Sequence, residues 1–315
     1  MSFAGRTLYR LWHAPVGRAR ALFETGWAES FRTAAGRRAM EKAAYRLPPL
    51  PELPGATLEL HLLTGRRFWY QTAFCLWTFA HRAGQPIAPV LYDDGTLDEA
   101  VLSPLRRLFP TLRCVSQLET IATLDLLLPA SRFPVLRERW ENYPNIRKLI
   151  DVHLGSKGWK LVIDSDLLFF RSPTFLLNWL AAPSQPLHAL DCTESYGYSR
   201  ELMEELAGAP IPPLVNVGLC GLRSDTLDWT ELESWCETLI RRERTHYFLE
   251  QALVAMLMAR TPQRAVAPAA DYVTFPSHSE ATAPAAVMHH YVSTSKTWYF
   301  RHNWRRVLPT SRSCQ

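Results

Sequence analysis

The sequence predicts an α/β protein with a mostly parallel central sheet that is flanked by helices. Its 315 residues are 47% hydrophobic and 21% charged, which is ordinary for a globular protein and sufficient for a full core. From about Leu58 onward, segments with strand and helix character alternate in the order β-α-β-α-β. Consecutive strands that are joined by helices pair in parallel and carry the helices on the faces of the sheet.

The first half of this region contains three predicted strands and the helices between them. We expect strands at residues 58–65, which ends in Thr64-Gly65, at 87–95, which ends in a turn, and at 112–116. An apolar, aromatic-rich helix is predicted at 67–82, a second helix at 97–109, and further helical segments to about Leu154.

The second half is predicted from apolar runs that turn residues separate. A central strand begins at Lys160 and runs into Asp164-Ser165-Asp166, with more apolar residues at 167–170. Beyond it we expect a helix at 174–182, strands at 187–191 and 213–222, helices at 227–242 and 246–260, and a short strand at 287–291.

The basic residues are concentrated at the N-terminus. Residues 1–46 hold nine Lys or Arg and three Glu, a surplus of six, whereas the whole chain carries +5, so residues 47–315 sum to −1. A near-neutral body argues against nucleic-acid binding. We predict four regions: a basic helical extension (1–46), a Pro-rich linker (47–56), the α/β domain (57–306) and a tail (307–315).

Two interpretations of residues 1–46 stay open. The extension either lies on an anionic membrane as a peripheral contact on its inner face, or packs on the α/β domain with its Arg heads in water. No strong apolar stripe is evident to decide between them.

The chain shows neither a run of ~20 apolar residues nor a signal peptide, and its six cysteines lack metal spacing. These features predict a cytoplasmic protein with reduced thiols.

The end of the central strand carries a pair of carboxylates. Asp164 and Asp166 stand two residues apart, so on an extended backbone their side chains point to the same side. The carboxyl ends of strands open into the ligand crevice of α/β sheets, where two carboxylates can hold a hard divalent cation. The alternative interpretation of Asp164 and Asp166 is a solvent-exposed turn without a ligand.

A second motif, His290-x5-Lys296-x-Trp298, is rare by chance in a chain with only five lysines. Imidazole suits metals of the Mn²⁺ class beside carboxylates, and lysine binds phosphate as a point charge. Considered without the rest of the motif, His290 is more simply interpreted as a histidine of the core. Lys148, another of the five lysines, precedes the carboxylate pair by sixteen residues and is otherwise an unremarkable surface lysine.

Two further patterns are weaker. Asn216-Val217-Gly218 lies inside an apolar strand, where a glycine often marks the close approach of a ligand or backbone, although simple packing explains it equally well. Glu250-Gln251 stands at the start of a predicted helix and is otherwise a solvated helix turn.

Together, over residues 57–305, these motifs resemble the glycogenin-like glycosyltransferase family 8, a set of nucleotide-sugar transferases with the GT-A fold. The resemblance implies a retaining transferase that uses Mn²⁺ or Mg²⁺, a UDP-sugar donor and a glycan, glycolipid or protein acceptor, including envelope glycans. It implies that Asp164, Asp166 and His290 are the metal ligands. It implies diphosphate or donor contacts for Lys148, Ser165 and Lys296, and a position near the nucleotide base for Thr64 and Tyr70. Sugar and acceptor binding are implied for Asp191, Asn216, Gln251 and Glu250, the last in place of the usual Asp.

Besides Glu250, the sequence departs from the family pattern at three further positions. Ser293 stands where the family has Gly, Thr297 where it has Pro, and Val217 where it has Ser. A glycine allows backbone to approach phosphate closely, so Ser293 changes the phosphate loop. Val217 removes a hydroxyl group from the implied sugar pocket, so the resemblance leaves the donor sugar open.

Three hypotheses follow for the function. The first is a metal-dependent nucleotide-sugar glycosyltransferase, and the second is a non-catalytic GT-A domain that binds a nucleotide sugar or a partner. The third is an Asp-x-Asp phosphohydrolase, a class that normally carries its pair near the start of the domain and Thr or Val two positions after it. Here the pair lies in mid-chain and Leu168 holds that position, which disfavours the third hypothesis.

Overall fold

The structure is a computed structural model that describes residues 27–50 and 57–309. Residues 1–26, most of the predicted linker (51–56) and the end of the predicted tail (310–315) lie outside the described residues. The predictions for these segments therefore stay predictions.

A central sheet of seven strands confirms the predicted α/β class. Its strands, in chain order, are β1 (Leu58–Thr64), β2 (Ile87–Asp93), β3 (Arg113–Val115), β4 (Trp159–Ile163), β6 (Leu187–Leu190), β7 (Val215–Arg223) and β8 (Ala265–Val266). They lie in the order β3-β2-β1-β4-β7-β6-β8. All neighbouring pairs are parallel except the two that involve β7, which runs antiparallel to both β4 and β6. The sheet is thus mostly parallel, with one reversed strand.

A second, three-stranded sheet lies beside the first. It consists of β5 (Leu167–Phe169), β9 (Tyr272–Thr274) and β10 (Met288–His290), in the order β5-β10-β9. Strand β10 pairs antiparallel with β5 and parallel with β9. The sequence predicted β5 and β10 as apolar runs, whereas β9 was not predicted because three residues are too short to show a period of two.

Helices cover the sheet. They are α1 (Trp27–Ala44), α2 (Trp69–Ala83), α3 (Glu99–Leu108), α4 (Gln117–Leu127), α5 (Pro134–Asn142), α6 (Arg147–His153), α7 (Thr174–Ala181), α8 (Arg200–Ala207), α9 (Trp229–Glu243), α10 (Leu249–Ala259) and α11 (His278–Thr282), and the chain ends in short helical turns at Lys296–Trp298, Tyr299–Asn303 and Trp304–Arg306. Most were predicted within a few residues. Helices α8 and α11 were missed because each is only one or two turns long.

Helix α2 lies inside the core because it is apolar on nearly every side. Twelve of its fifteen residues are buried, as expected for a helix that connects β1 to β2 and is enclosed by other elements. The helix ends at Gly84, whose φ of +64° lies in the left-handed region and lets its N–H bond to the carbonyl of Ala80. Strand β2 then pairs in register with β1, from Leu58 opposite Ile87 to Thr64 opposite Asp93.

Helix α1 packs on the α/β domain. Met40 and Ala44 are fully buried, and the close approach occurs at Gly36, where an added Cβ would lie 2.3 Å from the carbonyl oxygen of Phe300. Glu29 also forms an ion pair with Arg301. The described half of the basic extension is therefore part of the fold. In the part of the chain that the structure describes, no helix combines the length and apolarity that a membrane span requires. The membrane contact of residues 1–46 stays a prediction.

We expect Gly36→Ala to lower the thermal midpoint of unfolding. In an exposed helix this change would stabilise by about 1 kcal/mol because alanine is the better helix former. Here the added methyl group meets backbone that cannot move aside cheaply, and overpacking of this kind costs about 1–3 kcal/mol. The reverse change at the exposed neighbour, Ala35→Gly, measures the propensity effect alone. A raised midpoint for Gly36→Ala would show that the helix is not packed as described.

Candidate functional site

The chain leaves the central sheet at the carboxylate pair. Strand β4 ends at Ile163, Ser165 and Asp166 form a turn, and β5 begins the second sheet at Leu167. The pair therefore lies in a turn rather than on the extended backbone that the sequence suggested. This turn is fixed at both ends, because the Asp164 N–H donates to the carbonyl of Gly218 at 2.8 Å and the Tyr291 N–H donates to the carbonyl of Asp166 at 3.1 Å.

Pairing in the second sheet brings His290 to the carboxylates. On β10, His290 stands opposite Leu167 of β5, the residue next to Asp166. Its Nε2 lies 3.3 Å from an Asp166 oxygen and 3.7 Å from an Asp164 oxygen. One donor atom from each of the three side chains lies within 4.8 Å of the others. Residues more than 120 positions apart in sequence thus form one cluster of possible metal ligands.

Two lysines balance the charge of this cluster. Lys148 Nζ lies 2.9 Å from Asp164, and Lys296 Nζ lies 2.9 Å from Asp166. Burial alone would raise the pKa of Asp166, but Lys296 and His290 hold it well below its usual range. The Asp166 charge raises the pKa of Lys296 in turn. Asp166 is therefore available as an anionic ligand, and the Lys296 ammonium group stays charged.

Behind Lys148 lies a third carboxylate, Glu250, at 3.4 Å. Glu250 is 4% exposed, and burial raises its pKa to about 7, although Lys148 acts against this rise. Burial alone would lower the pKa of Lys148, but Asp164 and Glu250 raise it above its usual range. Glu250 thus contacts Lys148 from the first turn of α10.

A set of hydrogen-bonded polar side chains forms another part of the cavity lining, called the polar wall below. Gln251 donates from Nε2 to Asp191 Oδ2 at 3.0 Å, and the Cys192 N–H donates to Asp191 Oδ1 at 2.8 Å. Asn216 accepts from the Gly218 N–H at 2.9 Å. Asp191 follows the end of β6 and Asn216 lies near the start of the reversed strand β7, so the ends of β4 and β6 and the start of β7 meet at one edge of the sheet.

Gly218 is required because His290 lies directly against it. A Cβ on Gly218 would lie 2.2 Å from Cε1 of His290 and 2.9 Å from the Asn216 side-chain oxygen. The sequence left open whether this glycine marked a close approach or simple packing. The structure shows a close approach, and the approaching group is the imidazole of a possible metal ligand.

Ser293 occupies a backbone conformation that favours glycine. Its φ is +49°, in the left-handed region that a residue with a Cβ adopts only with strain, on the order of 1–3 kcal/mol. The departure from the family pattern at this position therefore falls on the point where a glycine would fit the backbone best. From Ser293 the chain turns through a short 3₁₀ segment to Lys296.

Most of the predicted site residues line one cavity of about 540 Å³. Those that line it are Lys148, Asp164, Asp166, Asp191, Asn216, Glu250, Gln251, His290 and Lys296. Three predicted residues are not among the lining residues. Thr64 and Tyr70 are buried, with the Thr64 hydroxyl bonded to that of Thr72 at 2.7 Å, and Ser165 lies in the turn between the aspartates. Their proposed nucleotide contacts stay predictions.

Sequence reasoning missed the aromatic side of the cavity. Tyr143, Tyr247, Phe248 and Phe275 line it. Tyr247 is 67% and Phe275 38% exposed, and Phe275 has a left-handed φ of +60°. Exposed aromatics and a strained non-glycine residue are typical of binding sites. The one available signal was the cluster of aromatic residues just before Glu250-Gln251.

The donor set fits a hard divalent cation. Two carboxylates and one imidazole are ligands that Mn²⁺ accepts, and Mg²⁺ shares the preference for carboxylate oxygen. The adjacent lysines do not conflict with this assignment, because each ammonium can contact a phosphate as readily as a carboxylate.

Comparison with solved structures gives the same fold. The chain matches the galactosyltransferase LgtC in complex with donor and acceptor sugar analogues, with a TM-score of 0.52 and 14% identity over 81% of this chain and 98% of that chain. Mouse xyloside xylosyltransferase 1 matches with a TM-score of 0.50 and 12% identity over 75% and 98%. The bifunctional glycosyltransferase WbbM matches with a TM-score of 0.51 and 10% identity over 82% and 52%.

At these identities the likeness establishes the fold, and the predicted GT-A architecture is confirmed. No family model matches the chain. No curated protein sequence matches it either.

We expect Gly218→Ala to weaken Mn²⁺ binding about 10–100-fold, because the new methyl group displaces His290 and disturbance of a ligand's support typically has this effect. The measurement is Mn²⁺ titration in the presence of UDP. Gly221→Ala is the matched control. Gly221 lies on the same strand as Gly218 but away from the cluster, and its added Cβ would lie 2.6 Å from the Trp179 side chain. Wild-type Mn²⁺ affinity in a folded Gly218→Ala protein would contradict the assignment of His290.

Proposed function

We propose that this protein is a metal-dependent glycosyltransferase that moves a sugar from a nucleoside-diphosphate donor, with UDP-sugars as the first donors to test, to a glycan, glycolipid or protein acceptor. The observation that carries the proposal is the convergence of Asp164, Asp166 and His290 beside two lysines, in one cavity at the edge of a GT-A sheet. Each part of this arrangement matches a requirement of sugar transfer from a diphosphate.

The chemistry requires positive charge beside the leaving group. Breaking the bond between sugar and diphosphate leaves charge on the phosphate, and fixed cations placed there give the largest catalytic contribution. Asp164, Asp166 and His290 would hold a divalent cation, which supplies part of this charge when bound. Lys296, whose side chain is 37% exposed, lines the cavity 2.9 Å from Asp166 and supplies an ammonium group for the diphosphate.

The polar wall suits the donor sugar and the acceptor hydroxyl. Asp191 and Gln251 hold each other in one orientation, so neither side chain must be ordered when a sugar binds. Asn216 is held in the same way by the Gly218 N–H. We assign these residues to hydroxyl binding and to orientation of the acceptor. The family resemblance implies retention of configuration, and no residue is assigned here as a covalent nucleophile.

A second candidate is a non-catalytic GT-A domain that binds a nucleotide sugar. The strained backbone at Ser293, where a glycine would fit best, is the observation that favours it. Metal-dependent hydrolysis of a UDP-sugar without acceptor separates the two candidates. A thermal-shift panel of nucleoside diphosphates with and without Mn²⁺ identifies the base, since a ligand at 100 times its Kd stabilises by about 2.7 kcal/mol.

We expect Asp166→Ala to reduce metal-dependent UDP-sugar hydrolysis by roughly 100-fold or more, because the site loses a ligand and the electrostatic contribution that depends on it. Asp125→Ala, at a carboxylate that is 63% exposed and far from the cluster in sequence, is the matched control and should keep the rate. Circular dichroism checks that both variants fold. Turnover of Asp166→Ala at the wild-type rate would exclude the proposed metal centre.

We expect Lys296→Ala to weaken UDP binding far more than uridine binding. A charge-assisted contact to phosphate contributes about 1.5–3 kcal/mol, which corresponds to roughly a 10–150-fold change in Kd. Calorimetric titration with both ligands in the presence of Mn²⁺ measures the difference. Lys157→Ala removes an exposed lysine elsewhere and controls for the change in net charge. Equal losses for uridine and UDP would remove Lys296 from the phosphate site.

A further inference from the structure

A second opening adjoins the cavity that Asp164, Asp166 and His290 line, which is called the catalytic cavity under the proposed function. Helix α1 forms part of this opening. This groove has a volume of about 920 Å³ and lies between α1 and the segment 293–300. It shares two residues, Ser293 and Lys296, with the catalytic cavity. A molecule in the groove therefore reaches the catalytic cavity at the segment assigned to phosphate.

The groove is positively charged. Its charged lining residues are Arg37, Arg38, Lys296 and Glu29. Glu29 is already neutralised by Arg32 at 3.0 Å and by Arg301. Within residues 27–50 and 57–309, neither Arg37 nor Arg38 has an acidic partner within ion-pair distance, and both are exposed. Two guanidinium groups thus line the groove without an ion-pair partner among the described residues.

Arg37 and Arg38 belong to a helix whose position is fixed by packing. Contact of Gly36 with the Phe300 backbone and the Glu29–Arg301 pair hold α1 in place. The Arg37 guanidinium lies 4.7 Å from the ring centre of Phe300, which restricts its side chain. A guanidinium held in advance loses less entropy when it binds a phosphate or carboxylate, and its planar fork suits both groups.

The rest of the lining suits a sugar. Trp298, the last residue of the His290-x5-Lys296-x-Trp298 motif, is half-buried and lines the groove, with its ring centre 4.6 Å from that of His278 and 6.1 Å from that of His302. Thr33, Thr294 and Thr297 add hydroxyl groups. Large aromatic faces pack against the apolar face of a sugar ring, and hydroxyls exchange hydrogen bonds with its edge.

We propose that this groove binds the acceptor, and that the acceptor is a glycan that carries a phosphomonoester, with Arg37 and Arg38 as the phosphate contacts. The proposal rests on the proposed glycosyltransferase function and names the substrate class of the same site. The groove begins beside the segment assigned to the donor diphosphate, so an elongated acceptor lies along α1 and directs one end into the catalytic cavity. The phosphomonoester belongs either to the glycan itself or to a lipid headgroup at its end.

The test uses the full chain saturated with Mn²⁺ and UDP, so that the donor site is filled. Glucose 6-phosphate and glucose are titrated by ligand-observed NMR. We expect glucose 6-phosphate to bind more tightly than glucose, with an affinity that falls as salt rises. Arg38→Glu should weaken glucose 6-phosphate binding about tenfold or more, since a charge-assisted contact becomes a repulsion, and Arg38→Gln should weaken it less. Glucose binding should not change.

Arg241→Glu is the matched control, because it makes the same charge change at an exposed arginine of helix α9. It should alter neither sugar phosphate binding nor UDP-sugar hydrolysis. A parallel arm measures co-sedimentation with phosphatidylcholine vesicles with and without phosphatidic acid. Binding that depends on phosphatidic acid and is lost in Arg38→Glu, without sugar phosphate binding, assigns the phosphomonoester to a lipid headgroup and supports the proposal.

Three results would overturn it. The first is that neither glucose 6-phosphate nor phosphatidic acid vesicles bind to the wild-type protein in preference to their neutral counterparts. The second is equal weakening by Arg38→Glu and Arg241→Glu, which indicates a general charge effect. The third is a matching loss of UDP affinity in Arg38→Glu, which places the groove in the donor site. Acceptor-independent hydrolysis of a UDP-sugar by the wild-type protein tests the proposed function separately, so the two failures are distinguishable.

Discussion

The site depends on a balance of charge at the junction of the two sheets. Three carboxylates, Asp164, Asp166 and Glu250, lie in a partly dry space with two ammonium groups, and no single member would be stable there alone. Each lysine lies 2.9 Å from an aspartate oxygen, and Lys148 also lies 3.4 Å from Glu250. The two aspartates beside His290 offer the oxygen ligands that a hard divalent cation prefers.

The two lysines come from distant parts of the chain. Lys148 reaches the site from helix α6 before the central strand, whereas Lys296 reaches it from the helical turn after the second sheet. Under the proposed function, a divalent cation would bind the carboxylates, and both ammonium groups would then contact the phosphates of a donor. The same side chains would thus balance the charge of the site without ligand and bind an anion once a cation is present.

The reversed strand β7 places the remaining parts of the site. Because β7 runs antiparallel between β4 and β6, its start, and not its end, lies beside Asp164 and Asp191. Gly218 then faces the imidazole of His290, and its lack of a side chain is what allows a residue from the second sheet to approach the first. A side chain on Gly218 would force the two sheets apart at the point where the proposed ligands meet.

The sequence was sufficient for those features that local chemistry determines. Asp164 and Asp166 were predicted because their pair follows a recognisable strand, and His290 and Lys296 because they belong to a rare residue pattern. Most strands and helices were predicted from apolar runs and periodicity. The direction of β7 could not be predicted, since it depends on how a long connection returns to the sheet. Strands β8 and β9 are too short for a period, and Tyr143 and Phe275 enter the cavity only through tertiary packing.

Helix α1 shows how a weak sequence signal can conceal a specific contact. No apolar stripe was evident in residues 1–46, and the structure gives the reason: within Trp27–Ala44 the buried residues are Gly36, Met40 and Ala44. A contact made by glycine and alanine brings two backbones together over a small area and leaves most of the helix surface polar. Arg37 packs on the ring of Phe300, and both Arg37 and Arg38 stay exposed. Their position beside Ser293 and Lys296 follows from where Gly36 allows the helix to approach, so the packing of one glycine determines which part of the basic extension lies beside the candidate site.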